Sequence, residues 1–169
     1  MSPSLVAHLS TYAAYHRDPR NIATHFVGIP MIVLAVATLL SRPALEFGGM
    51  PLSAASVVSL ATAAWYLRLN TGLGALMALL LLLANAFGAW IAAMPTATWL
   101  AVGVGSFVVG WVFQFVGHYW EGRKPAFVDD LSGLIVGPLF VTTEALFMLG
   151  LLTPLREAIE SRVGGVRHA

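Results

Sequence analysis

Apolar segments about as long as a membrane is thick dominate this chain, and they restrict its fold more than any other feature. A membrane-spanning helix needs about 20 mostly apolar residues. Only 10% of the 169 residues are charged, whereas a soluble domain carries roughly 25%. The chain is therefore predicted to be all-α, a polytopic membrane helix bundle, with residues 1–169 forming a single integral membrane domain. The apolar segments run from about Phe26 to Leu40, Pro51 to Leu69, Gly72 to Ala93, Thr98 to His118 and Leu131 to Leu152.

The distribution of basic residues favours four spanning helices plus a C-terminal apolar helix that is kinked or re-entrant. If the last segment returns to the side of the N-terminus, that side carries every Lys and Arg except Arg42, including Arg156, Arg162 and Arg167. The positive-inside rule then makes that side cytoplasmic. Five spans, the alternative, distribute the basic residues almost evenly. Pro138 lies within the last segment, and a proline there removes a helical hydrogen bond.

Composition also excludes several classes of site. The chain has no cysteine, so it cannot form disulfides, thiolate metal sites or iron–sulfur clusters. Its net charge of +1 gives no reason to expect nucleic acid as a partner. Membrane lipid is expected to surround the protein. A composition rich in Ala, Gly and Leu favours a bacterial inner membrane over an endoplasmic reticulum membrane. Asn85, in the middle of a span, is expected to form a hydrogen bond between helices.

Two polar clusters interrupt the apolar sequence, and both topologies place them on the same side of the membrane. In the first cluster, Asn21 and His25 are four residues apart and share a helix face. His16 precedes Pro19, which is expected to begin that helix, so His16 can approach His25 from a separate segment. In the second cluster, the side chains one helical turn apart are Gln114, His118 and Glu121, and Gly117 permits close helix approach.

The side chains of these clusters are typical of a metal site with nitrogen and oxygen ligands. Imidazole suits iron, zinc and copper, and a carboxylate beside histidines suits iron(II) that binds oxygen and substrate. Asn21 and Gln114 are expected to hold the histidine rings through hydrogen bonds. Any one of these residues is equally well explained as an interfacial polar group. The convergence of three histidines in so apolar a chain favours a shared site.

Three further charged residues have two readings each. Arg123 and Lys124 suit an acidic headgroup or a substrate carboxylate, but such a pair also serves as a positive-inside anchor. Glu144 is an ionisable residue within an apolar segment, and it is either functional or paired within the bundle.

The two clusters resemble a family of small membrane 2-hydroxy fatty acid dioxygenases, which has a characterised yeast member in fatty-acid α-oxidation. The resemblance covers most of the chain in order and spacing, and it is specific only at the two clusters. A proline followed by a glutamate, as in Pro138 and Glu144, also recurs in the family. The matching positions in the clusters are His16, Asn21, His25, Gly28, Pro30, Gln114, Phe115, Gly117, His118, Glu121, Pro125 and Ala126.

The resemblance implies an iron(II)-dependent enzyme that acts on a long-chain 2-hydroxy fatty acid and O2. The product is a fatty acid one carbon shorter. Iron ligands are then expected at His16, His25 and His118, with Glu121 as a fourth ligand or an orienting base. Asn21 and Gln114 assist catalysis, and Arg123 or Lys124 attracts the substrate carboxylate.

Other functions compete with this hypothesis. A haem-binding electron carrier would use paired histidines on two spans as axial ligands, but here the histidines cluster at one membrane edge. A non-catalytic membrane scaffold or lipid-binding protein would use the polar clusters to cap helices and bind headgroups. A zinc hydrolase is disfavoured, because the chain lacks His-Glu-x-x-His.

Overall fold

The computed structural model describes residues 2–42, 44–47 and 50–166. Arg167, which entered the charge count, lies outside them. The described part of the chain is mostly helical, in the order α1 (Pro3–Ala13), α2 (Pro19–Leu40), β1 (Ala44–Phe47), β2 (Met50–Ser53), α3 (Ala54–Leu69), α4 (Thr71–Ala92), α5 (Thr96–Glu121), a short 3-10 helix (Ala126–Val128), α6 (Gly133–Met148) and α7 (Thr153–Val163).

The predicted all-α class is confirmed, with one local exception. Strands β1 and β2 pair antiparallel as a two-stranded hairpin. The prediction that the second apolar segment is helical from Pro51 was therefore wrong over residues 51–53, which belong to β2. Helix α3 retains only 16 residues, which is shorter than the length a typical span requires.

Three described helices are long and apolar enough to cross a membrane, namely α2, α4 and α5. A fourth span exists if α6 and α7 count as one broken segment, since they meet at a bend of 116°. The predicted interruption of the last apolar segment is thus present, but it does not lie at Pro138, which sits within α6. The break follows α6, where Gly150 and Leu152 adopt positive φ values of 75° and 56°.

The chain divides into two compact units, and the boundaries fall within α2 and α5. The first unit comprises residues 1–29 and 112–169. In it, α1 packs against α6 and α7. Leu5 and Leu9 of α1 and Leu139 and Phe140 of α6 are almost fully buried. All three clustered histidines belong to this unit.

The second unit, residues 30–111, contains the hairpin and the packed helices α3 and α4. Asn70 separates these helices and caps α4, because its Oδ1 accepts a hydrogen bond from Leu73 N at 2.9 Å. The predicted interhelical bond of Asn85 is confirmed, since its Nδ2 donates to Ser59 Oγ on α3 at 2.5 Å.

Candidate metal centre

Helix α2 begins where the first polar cluster predicts. Asp18 is its N-cap, because Asp18 Oδ1 accepts a hydrogen bond from Arg20 N at 2.8 Å. Pro19 occupies the first helical position, where its missing N–H is harmless. The Arg20 guanidinium also donates to Asp18 and lowers the pKa of that carboxyl to about 2. The cap therefore stays ionised and fixes the backbone between His16 and His25.

The rings of His16 and His25 are each held by a hydrogen bond between Nδ1 and a main-chain carbonyl oxygen. His16 Nδ1 lies 2.7 Å from the Tyr12 carbonyl oxygen, and His25 Nδ1 lies 2.9 Å from the Asn21 carbonyl oxygen. A carbonyl oxygen only accepts, so each Nδ1 carries the hydrogen and donates it. In a neutral imidazole the other nitrogen then has a lone pair. Both rings are therefore held as the tautomer whose Nε2 can bind a metal.

The two Nε2 atoms face each other at 2.9 Å. With both Nδ1 atoms protonated, two neutral rings bring two lone pairs into contact, which is repulsive. Protonation of one ring would relieve the repulsion, but burial lowers the pKa of His16 well below its usual range, and the neighbouring His25 lowers it further. A cation shared by both lone pairs resolves the contact. The donor pair thus fits a metal ion.

His118 of α5 completes the group. Its ring centroid lies 5.0 Å from that of His16 and 5.1 Å from that of His25. One nitrogen from each of the three rings lies within 4.8 Å of the others, and all three residues are buried. The predicted convergence of the two clusters is therefore confirmed for the histidines. Three imidazoles around one point suit iron, zinc or copper.

Two aromatic side chains enclose the His16 ring. Tyr12 stacks on it at a centroid distance of 4.2 Å and an interplanar angle of 7°. Phe140 of α6 lies 5.5 Å from the same ring. Sequence reasoning missed both residues. The spacing of four between Tyr12 and His16 is a signal for the first, but nothing local connects Phe140 to the site.

Glu121 contacts the start of α2. Its Oε2 accepts hydrogen bonds from Arg17 N at 2.9 Å, Asp18 N at 2.8 Å and Asn21 Nδ2 at 3.0 Å. A negative charge beside a helix N-terminus is electrostatically favourable. The structure thus places Glu121 next to the residues that carry the ligands, and the group of converging ligand atoms in the described chain comprises the histidines alone.

Asn21 and Gln114 are both buried, Asn21 beside His25 and Gln114 one helical turn before His118. The Asn21 side chain donates to Glu121 and to the Tyr15 carbonyl oxygen. Its main-chain carbonyl, rather than its side chain, accepts from His25. Gln114 Nε2 is buried without a hydrogen-bond partner among the described residues.

The exposed side chains of Arg123 and Lys124 contact the end of α1 and the loop after α5. Arg123 donates to the Ala14 carbonyl oxygen at 2.6 Å and lies over the Tyr15 ring. Lys124 forms an ion pair with Asp129 at 2.5 Å, and this contact lowers the pKa of Asp129. Both cations thus have structural partners outside the histidine group.

Gly117 brings α5 against α2, as predicted. A Cβ atom at this position would lie 2.2 Å from Thr24 Oγ1 and 2.4 Å from Asn21 Oδ1. These distances are too short for any side chain, so the close approach of the helices depends on glycine. That approach brings His118 within reach of His25, which lies one residue beyond Thr24.

Replacement of Gly117 with alanine is expected to destabilise the protein by about 1–3 kcal/mol, the usual cost of overpacking. It should also weaken metal binding, because α5 must move away from α2. Thermal unfolding and metal titration in detergent measure the two effects. Gly105→Ala on the same helix is the matched control, since a Cβ there would meet nothing within 4 Å. Equal stability of both variants would contradict the packing argument.

Comparison with known proteins adds a family to this geometry. The family model described as "2-hydroxy-palmitic acid dioxygenase Mpo1-like" matches residues 2–149. The chain is 34% identical over 158 residues to the 2-hydroxy-palmitic acid dioxygenase MPO1 of Saccharomyces cerevisiae, covering 92% of this chain and 87% of the yeast protein. No solved structure matches the chain.

Proposed function

The chain belongs to the 2-hydroxy-palmitic acid dioxygenase Mpo1-like family, and we propose that it is an iron(II)-dependent dioxygenase of long-chain 2-hydroxy fatty acids. The proposed reaction consumes O2 and yields a fatty acid one carbon shorter, in which the hydroxyl-bearing carbon becomes the new carboxyl. The former carboxyl carbon leaves as a one-carbon product. The observation that carries the proposal is the buried group of three histidines with converging ring nitrogens.

We assign the metal to His16, His25 and His118. When bound, iron(II) would supply the chemistry that lets O2 react with an unactivated hydroxy acid. The Tyr12 and Asn21 carbonyl oxygens hold the rings in the tautomer that binds metal. With three protein ligands, a bound iron(II) would have positions left for substrate and O2. Tyr12 and Phe140 cover the His16 ring and limit its contact with water.

Glu121 has a positioning role in this proposal. Through its three hydrogen bonds it fixes the backbone that joins His16 to α2. Asn21 belongs to the same network, and Gln114 is a buried polar group one helical turn before His118. No organic cofactor is required, because the hydroxy acid itself is oxidised and supplies electrons to O2. The acyl chain would lie along the apolar helices.

We further propose that the histidine group faces the cytoplasm, in a bacterial inner membrane. Support comes from Arg17, Arg20, Arg123 and Lys124, which lie next to the site, since basic residues concentrate on the cytoplasmic side. The chain has no native cysteine, so a single cysteine at the exposed Val128 reports on its side directly. Labelling of that cysteine by an impermeant reagent from the periplasm would contradict this orientation.

Metal analysis and oxygen uptake on anaerobically purified protein test the function. We expect about one iron per chain and O2 consumption that depends on 2-hydroxypalmitic acid, with a product one carbon shorter by mass spectrometry. Palmitic acid, which lacks only the hydroxyl, is the matched control and should cause no uptake. Absence of uptake after iron(II) is restored would overturn the dioxygenase proposal. Zinc in place of iron would then favour a hydrolase, and no bound metal would favour a scaffold.

The geometry gives no support to a haem-binding electron carrier. Axial histidines bind from opposite faces of the haem iron, so the porphyrin must lie between them. The Nε2 atoms of His16 and His25 are in direct contact, which leaves no room for a macrocycle. A Soret band in the purified protein would contradict this reading.

A further inference from the structure

A small cavity adjoins the metal centre on the side of α7, and its lining contains several charged groups. It has a volume of about 40 Å³. His16 lines it, so one wall of the cavity is a proposed metal ligand. The charged residues around it are Arg17, Glu144, Arg156 and Glu160. Charged groups of both signs beside a buried metal site are costly unless they have partners or a ligand.

We infer that this cavity receives the carboxylate of the 2-hydroxy acid, and that Arg17 and Arg156 bind it. The inference rests on the proposed function, because it concerns the substrate of the same site. The size of the cavity agrees with a polar headgroup. About 10–15 Å³ of such space holds one water molecule, so 40 Å³ admits a carboxylate but no acyl chain.

Arg17 offers an unused donor. One of its terminal nitrogens donates to the Gly165 carbonyl oxygen. Its Nε is buried and has no hydrogen-bond partner among the described residues. A buried N–H without a partner costs free energy that a bound acceptor would recover. A carboxylate is the acceptor that guanidinium groups bind best, often with two parallel hydrogen bonds.

Arg156 approaches the cavity from α7. Its Nε donates to Glu160 Oε1 at 2.8 Å, one helical turn along. A guanidinium carries five N–H donors, so this ion pair leaves capacity for a second carboxylate. Arg156 is half-exposed, so its guanidinium can reorient toward a ligand without leaving a buried position.

Glu144 opposes an incoming anion. It lies on α6, is partly buried, and interacts electrostatically with Arg156 and Glu160. Two arginines and two glutamates make the empty cavity neutral, and a bound carboxylate makes it negative by one charge. The arginines should therefore strengthen carboxylate binding, whereas Glu144 should weaken it. Substitutions that remove an arginine charge and those that remove the Glu144 charge should therefore change the carboxylate affinity in opposite directions.

Anaerobic equilibrium binding of 2-hydroxypalmitic acid to the iron-loaded protein in detergent tests this inference without turnover. Arg17→Leu and Arg156→Leu should each raise the dissociation constant about 10-fold or more, because each removes charged hydrogen bonds. Glu144→Gln should lower it several-fold. Arg162→Leu, on the same helix but outside the cavity lining, is the matched control and should leave binding unchanged. Iron content and thermal unfolding confirm that each variant is folded.

The methyl ester of 2-hydroxypalmitic acid separates carboxylate recognition from a general loss of binding. Wild-type protein and Arg156→Leu should bind the ester equally. An unchanged dissociation constant for the acid in folded Arg156→Leu would overturn the inference, as would an equal loss of acid and ester binding or a weaker complex with Glu144→Gln. Arg156→Leu decides the question alone if Arg17→Leu does not fold.

The two proposals fail in different ways. Oxygen uptake with an unchanged KM in both arginine variants would retain the dioxygenase and reject the cavity. Arginine-dependent binding of the acid without any oxygen uptake would retain the cavity and reject the dioxygenase.

Discussion

Replacement of His25 with alanine is expected to abolish oxygen uptake and to lower the affinity for iron by more than about 100-fold. The purified variant should therefore contain little iron. The reason is geometric, since the His25 Nε2 is one of only three converging ring nitrogens in the described chain. Loss of groups that merely support metal ligands already costs about 10–100-fold in affinity. His118→Ala, on α5, should have the same effect as His25→Ala on α2.

The matched control for these variants is His8→Ala. His8 lies on α1, as does Tyr12, whose carbonyl oxygen holds the His16 ring. His8 is not a member of the converging group. The His8→Ala variant should therefore retain iron and activity. Insertion and folding are checked by thermal unfolding and by gel filtration in detergent. Full activity of either His25→Ala or His118→Ala would refute the assignment of the metal centre.

Replacement of Glu121 with alanine is expected to cost several kcal/mol of stability. Its Oε2 accepts from three donors at the start of α2. Each buried donor that loses its acceptor costs about 1–3 kcal/mol. The backbone between His16 and α2 would then be held less firmly, so iron binding should weaken as well. Chemical or thermal unfolding of the variant in detergent, with metal titration, measures both quantities.

Glu121→Gln distinguishes a positioning residue from a metal ligand. Glutamine has a side chain of the same length and keeps one carbonyl oxygen, which can still accept hydrogen bonds from the donors at the start of α2. If Glu121 is a positioning residue, the Glu121→Gln variant should bind iron at normal stoichiometry with affinity reduced by about 10-fold. If Glu121 is a metal ligand, the same variant should lose iron while its unfolding temperature changes little. The second result would return Glu121 to the ligand set.

Helical geometry explains why part of the site was predictable. Asn21 and His25 lie one turn apart within α2, and local spacing alone places them on one face. The glycine at 117 marks a close helix contact because only a missing side chain permits it, and the structure confirms the contact with Asn21 and Thr24. The prediction that the two clusters share one side of the membrane rests on four apolar segments between them, so it requires the short helix α3 to cross the membrane as well as α2, α4 and α5.

The contacts of Glu121 were less accessible to sequence reasoning. Glu121 lies one turn after His118, which predicted a ligand or an orienting base. Its Oε2 accepts from the main-chain N–H groups of Arg17 and Asp18, which are more than 100 positions away along the chain. Backbone donors carry no signature in a sequence, because every non-proline residue has one. The cavity beside His16 was also unpredictable, since Arg17, Glu144 and Arg156 come from three separated segments.

The sequence by itself determined the helical class and the membrane-length apolar helices, and it predicted that the two histidine clusters converge, because apolar length, low charge and helical spacing are local properties. Only the tertiary structure decided which nitrogens converge, which carboxylate supports a helix start and which charges line the cavity. Those outcomes depend on ring orientations fixed by carbonyl oxygens and on contacts between distant helices. Such contacts form only when the chain packs, and no short segment encodes them alone.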